Sequence, residues 1–252
     1  MAQAPLYIVA SPSPRVGKTL IARLLVEFLR SSGRPLVGYD LDPREPELTT
    51  RFPDLVTSVD IANTRGEMAL FDRLIAPGLR TTVVDVGYAS FDKFFSVLIE
   101  IGFVREAQRR GIEPVILFIS DTAPLTARSY AELRAALETS TFVPVHNESV
   151  SVMFEKADFA PSRPEFGVIR IPRLSAIVRG VVDRPSVSFA QYMHDDRPGG
   201  PTEIHSWVRD IFTEFRELEL RLLMGKLTAS LGGSAVTNFL DAWRGRPAKP
   251  GA

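Results

Sequence analysis

Short apolar runs alternate along this chain with stretches in which apolar residues recur every three or four positions, and this alternation predicts strands separated by helices. Residues 6–10, 35–39, 81–87, 114–119, 141–145 and 166–171 are dense in Val, Ile, Leu and Phe and too short for helices. They read as six buried strands of a mostly parallel sheet. A further extended piece covers 55–61, beyond the second of them. Helical spacing follows the first strand through Leu20, Ile21, Leu24, Leu25 and Phe28, and Gly33 supplies a left-handed stop. The same spacing predicts helices at 66–76, 90–110 and 124–138, and a short one beginning with Leu174, Ile177, Val178 and Val181. Asp195 to Pro201 is the clearest break, and beyond it Ile204, Trp207, Ile211, Phe215, Leu218 and Leu222 make one stripe of a long helix, 202–224. The expected architecture is a three-layer α/β domain over 1–195 and an α-helical C-terminal extension over 202–252 packed on it.

Composition narrows the chemistry. With 252 residues and 45% apolar content the chain can bury a full core. It lacks cysteine, which excludes disulfides, thiolate catalysis and Cys-ligated metals, and its three histidines are scattered without ligand spacing. The formal net charge is zero, so any contact with DNA has to come from a local arginine patch. No run of about 18 apolar residues is present to span a bilayer and the first strand starts by residue 6, which argues for the cytoplasm and against a membrane.

The turn after the first strand carries the strongest motif. It ends in Gly17-Lys18-Thr19, and strand, loop and helix in that order form a P-loop layout. Gly17 lets the backbone approach phosphate oxygens, the amides from Arg15 through Leu20 point into a helix N-terminus, Lys18 brings a compact charge, and the Thr19 hydroxyl suits Mg²⁺. The start of the motif is irregular, because Pro12 stands where a glycine is usual and Pro14 lacks an N–H. Lys18 is one of only five lysines in a chain that takes most of its positive charge from arginine. Two acids, Asp40 and Asp42, follow the second strand, and Asp85 ends the third in a Walker B layout. Carboxylates at strand ends beside such a loop can order a magnesium water shell or an attacking water, although Asp-Pro is also ordinary turn chemistry.

A Gly-Lys-Thr loop followed by Asp40-Leu41-Asp42-Pro43 resembles the ParA/MinD group of deviant P-loop ATPases, which position chromosomes, plasmids and division sites. In that group the loop reads K-G-G-x-G-K-[ST], so the aligned Ser13 replaces the signature lysine. The resemblance implies a P-loop NTPase fold over roughly 5–190, ATP and Mg²⁺ as cofactors, and a slow ATPase acting as a positioning or partitioning switch. It implies that Lys18 and the amides of Arg15, Val16, Gly17, Thr19 and Leu20 hold the β- and γ-phosphates. Thr19, Asp40 and Asp85 would hold the metal and its waters, and Asp42 would position the attacking water. Asn147, after the fifth strand, would read the adenine edge, and backbone around Pro172 would contact adenine or ribose; an Asn after a strand is equally a turn residue.

The implied partners are a second copy of the chain closing around nucleotide and an activating or cargo protein. Arg163, Arg170, Arg173, Arg179 and Arg184 are where nonspecific DNA contact would fall, unless they form a solvated face. Val236, Phe239, Leu240 and Trp243 bear a faint likeness to a membrane-targeting helix, and a docked terminal helix explains them as well. Two other functions fit the same fold: a hydrolysis-deficient scaffold working through protein contacts, with Pro12, Ser13 and Pro14 as its mark, and a dethiobiotin-synthetase-like ligase.

Overall fold

The computed structural model describes residues 4–76, 80–151, 158–184, 187–193 and 202–231, with side chains as far as 225. In chain order the elements are β1 (Ala4–Ala10), α1 (Lys18–Ser31), β2 (Leu36–Asp40), α2 (Glu47–Arg51), β3 (Val56–Ser58), α3 (Thr64–Leu74) and β4 (Thr81–Asp85). They continue with α4 (Phe91–Glu100), α5 (Phe103–Arg109), β5 (Ile112–Ser120), α6 (Pro124–Ala136), β6 (Thr141–Asn147), β7 (Ile169–Ile171), α7 (Ala176–Val182), α8 (Phe189–Met193) and α9 (Glu203–Leu231). The chain divides into two compact units, Met1–Phe215 and Arg216–Ala252, and the first of them contains the whole sheet.

Seven strands form one sheet in the order β3-β2-β4-β1-β5-β6-β7, and every pairing is parallel. The apolar runs explain this: β1, β5 and β6 are buried along almost their whole length, as strands covered on both faces must be. One face carries Leu6, Ile8, Val84, Val86 and Phe118, packed with Phe71, Phe94, Phe95 and Phe103 from α3, α4 and α5. Here Phe94 meets Phe71 at 5.6 Å and Phe95 at 5.2 Å between ring centroids. On another side of the unit α1 packs against β1 and β4. Its Phe28 lies 5.4 Å from Phe212 and 5.7 Å from Phe215 at the start of α9.

The boundaries depart from the periodicity where backbone chemistry intervenes. The helix expected over 90–110 is two helices, because Gly102 takes φ +61° and ends the first, leaving Phe103 free to start the second. The last strand begins at Ile169 rather than 166, since Pro164–Phe166 form a 3₁₀ turn and Gly167 sits at φ +64°. The extended piece expected over 55–61 pairs only as Val56–Ser58, a short edge strand, and makes a seventh strand beside the six expected. The long helix continues past 224 to Leu231. Val236, Phe239, Leu240 and Trp243 and the break at 195–201 lie outside the described residues. Among the described residues no helix is long and apolar enough to cross a membrane.

Candidate functional site

With β1 between β4 and β5, the loop after β1 emerges at the middle of the sheet, where neighbouring strands have connections running in opposite directions. Residues 11–17 make that loop and Lys18 opens α1. Gly17 adopts φ +92°, and Arg15, at φ +58°, is the only non-glycine residue in the left-handed region among those described. A Cβ on Gly17 would lie 2.7 Å from Asn147 Nδ2, so bare backbone is needed there on two counts. The Gly17 carbonyl accepts from the Ile21 amide at 3.0 Å, which starts the helix and leaves the preceding amides unpaired by it.

The register brings two of the three predicted acids side by side. Asp85 pairs with Val9 on one flank and Asp40 on the other, so both carboxylates issue from the same end of the sheet next to the loop. Asp85 is 3% exposed, and its Oδ1 has no hydrogen-bond partner. Burial, reinforced by the charge of Asp40, pushes its carboxyl up to about 7, and the nearby Thr19 hydroxyl and Lys18 pull the other way. Asp40 is employed differently from its neighbour. Its Oδ1 accepts the Asp42 amide at 3.1 Å, and its Oδ2 accepts the Leu48 and Thr49 amides at 3.0 and 3.2 Å. It therefore caps α2 and ties down the loop between β2 and that helix. Asp42 is half-buried in this loop, where its Oδ1 accepts the Glu45 amide at 3.4 Å. Gly87 keeps the opposite loop close: a Cβ there would come within 2.9 Å of both the Leu41 carbonyl and Asp42 Cβ. Ser90 Oγ donates to the same Leu41 carbonyl at 2.6 Å.

Lys18 is 8% exposed, and its ammonium donates to the Ser13 carbonyl at 2.6 Å. Burial holds its pKa below the ordinary lysine value, while Asp85, Asp42 and Asp121 oppose the shift. Ser13 shares a hydrogen bond with Thr126 at 3.0 Å, which anchors the first half of the loop to α6. Asn147 is 3% exposed with both ends of its amide engaged: Nδ2 donates to the Val16 carbonyl at 3.0 Å and Oδ1 accepts the Ser149 amide at 3.1 Å. Pro172 is likewise occupied, since Trp207 Nε1 on α9 donates to its carbonyl at 2.7 Å.

These residues surround a cavity of about 420 Å³. Arg15, Gly17, Lys18, Thr19 and Leu20 form one wall, with Asp42 and Gly87 beside them. Asn147, Val150, Ile171, Leu174, Val182 and Trp207 make a more apolar wall, and Arg179 and Asp183 line the rim. Of the predicted site residues Val16, Asp40, Asp85 and Pro172 stand behind this surface rather than on it. Sequence reasoning passed over Gly87, Ser90, Asp121 and Trp207. A Gly two residues after the Walker B acid was the one readable signal among them.

The segment around α7 and α8 is held by a buried pair inside α1. Arg23 and Glu27, 3% and 4% exposed, are 3.3 Å apart. Arg23 donates to the Val182 carbonyl at 2.8 Å and to the Val187 carbonyl, with its guanidinium 4.0 Å above the Phe189 ring. Glu27 accepts from Ser188 Oγ at 2.9 Å and the Ala190 amide at 3.0 Å. From α2, Arg51 donates to the Asp183 and Arg184 carbonyls at 2.9 and 3.0 Å.

No protein-family model and no curated protein sequence matches this chain. Solved structures do. One is MinD in the MinC:MinD cell division complex of Aquifex aeolicus, with TM-score 0.50 and 11% identity over 84% of this chain and 96% of that one. The chain shares the fold of that MinD structure, a parallel sheet flanked by helices. Another is a nucleotide-binding protein of Archaeoglobus fulgidus in complex with ADP, with cobalt, at TM-score 0.46 and 13% identity over 78% of this chain and 93% of that one. The likeness to MinD supports a shared arrangement of strands and helices, and the chemistry has to be argued from the residues.

Proposed function

We propose that this protein is a ParA/MinD-like nucleotide-binding protein that holds ATP with Mg²⁺ and hydrolyses it slowly as a conformational switch. The observation that carries the reading is the unpartnered Asp85 oxygen, buried at a strand end beside Thr19 and Lys18. A buried carboxylate oxygen without a donor costs stability unless something cationic or hydrated meets it. Magnesium bound there would neutralise phosphate charge and bring its own ordered waters. Among the described residues no group of three or more His, Asp or Glu could cage a metal by itself, which fits a cation shared with phosphate oxygens.

In this reading Lys18 leaves the Ser13 carbonyl for the β- and γ-phosphates, and the amides of residues 15–20 complete the cradle. Thr19 is the hydroxyl ligand, Asp85 binds the metal's waters, and Asp40 acts from behind by fixing the loop that presents Asp42. Asp42, half-buried and lightly bonded, orients the attacking water; no covalent nucleophile is needed for phosphoryl transfer to water. The apolar wall at Val150, Ile171, Leu174 and Trp207 receives the base. Asn147 serves by bracing the Val16–Gly17 peptide, because reading adenine would require giving up one of its two internal bonds. A nucleotide-dependent homodimer, an activating or cargo partner and a cytoplasmic location complete the proposal.

A second reading, a binder without turnover, is favoured by Ser13, whose hydroxyl is tied to Thr126 where relatives of the proposed kind carry a lysine. Calorimetry with ATP–Mg²⁺ on wild type and Lys18→Ala separates these from no site at all. Binding that falls by about 100-fold or more in the variant supports the site. Absence of binding by wild type removes it. Phosphate release from the wild type, lost in Asp42→Ala, then distinguishes the ATPase from the silent binder.

A further inference from the structure

A second cavity, of about 470 Å³, lies between the β2–β3 edge of the sheet and the C-terminal end of α3, and nothing in the nucleotide reading uses it. Tyr39 of β2 stands in register with Thr57 of β3 and lines this cavity with Arg73 and Arg80. The Tyr39 ring is 8% exposed, and its hydroxyl hydrogen-bonds to no described residue. The two guanidiniums, one in the last turn of α3 and the other just before β4, are close enough to act electrostatically on the phenol. Neither makes an ion pair or hydrogen bond with a described residue, although the acid Asp54 lines the same cavity. Leu36, Leu55 and Ile112 give it an apolar part.

We propose that this cavity is a binding site for a small phosphomonoester with an apolar body, held by Arg73, Arg80 and the Tyr39 hydroxyl. Two guanidiniums lining one cavity carry two positive charges in a planar donor geometry suited to phosphate. A phosphomonoester brings about −1.5 to −2 at neutral pH and three acceptor oxygens, enough to engage both forked guanidiniums and the phenol even with Asp54 in the lining, whereas a carboxylate has only two oxygens to share among them. The phenol of Tyr39, lining the same cavity, adds a third donor, which a loose pair of solvated arginines would lack. The apolar floor takes the rest of the ligand, as small-molecule sites generally do. Tyr39 directly precedes Asp40, so an occupant here would sit one residue along β2 from the acid that caps α2.

The probe is phenyl phosphate, titrated by calorimetry against wild type, Lys18→Ala, Tyr39→Phe and the double variant Arg73→Ala/Arg80→Ala, with benzoate as the monoanionic control. Arg73 and Arg80 are surface side chains, so the double variant keeps the wild-type melting temperature. The expected result is saturable binding, unchanged in Lys18→Ala, weakened at least about tenfold in the double variant and about threefold in Tyr39→Phe, with benzoate weaker than phenyl phosphate. No saturable binding by wild type, or binding abolished by Lys18→Ala and indifferent to the arginines, overturns the site. Benzoate binding as tightly as phenyl phosphate overturns the assignment to a phosphomonoester. ATP–Mg²⁺ titrated into the same proteins keeps this result separate from that of the nucleotide site.

Discussion

Replacing Asn147 by Ala separates two uses of one amide. In the structure its Nδ2 holds the Val16 carbonyl at 3.0 Å and its Oδ1 holds the Ser149 amide at 3.1 Å, at 3% exposure. Each bond contributes about 0.5–1.5 kcal/mol, and a group left unsatisfied beside a cavity regains part of that from water, so the expected loss is about 2 kcal/mol. For a chain of this size that is a fall of about 4–8 °C in melting temperature. The peptide it braces leads into Gly17 and Lys18, so a loosened loop should weaken ATP–Mg²⁺ and tripolyphosphate–Mg²⁺ by the same factor. Differential scanning fluorimetry and calorimetry with both ligands read these effects. A variant that melts within about 1 °C of wild type and loses affinity for ATP alone would show that Asn147 reads the base, and the bracing argument would fail.

Asp85 makes stability depend on pH with a definite sign. Its folded carboxyl is pushed up to about 7, so between the ordinary carboxylate range and that value the folded state binds the extra proton, and stability of the unliganded protein falls as pH rises through the window. Asp85→Asn should melt near wild type at roughly pH 5 and above it at roughly pH 8, by an amount worth a few kcal/mol at most, while losing the Mg²⁺ dependence of ATP binding. Fluorimetry across pH checks the first part, and a flat difference between the proteins would contradict it. Arg23→Ala leaves Glu27 charged and buried without its partner and frees the Val182 and Val187 carbonyls, so urea unfolding should show a loss of about 3–5 kcal/mol. A loss below about 1 kcal/mol would mean that the pair is solvated in solution.

The parallel sheet, the loop after β1 and the acids at strand ends were legible because they follow from short apolar runs and from residue types at their ends; the order of the strands in the sheet was not. Periodicity could not separate roles within that set. Asp40 and Asp85 look alike in sequence, yet Asp40 accepts three backbone amides while one Asp85 oxygen accepts none. The difference arises from a helix beginning seven residues beyond Asp40, a consequence of chain path rather than of residue type. Arg23 and Glu27 sat in a stretch read only for its apolar spacing, and their burial depends on residues more than 150 positions away. Trp207 read as one more position in a helical stripe, and its indole N–H found the Pro172 carbonyl 35 residues earlier in the chain. Gly102 was visible, but a glycine within a helical pattern does not announce a break.

The short contact between the Lys18 ammonium and the Ser13 carbonyl has a bearing on what the loop admits. A cation already seated on a neutral dipole gives it up only to a stronger acceptor. Uncharged sugars and free bases offer nothing better than the carbonyl they would displace, so they gain no purchase on the lysine. A chain of phosphates does. Under the proposed nucleotide reading the loop thus sets its own entrance threshold, and that threshold is counted in negative charge.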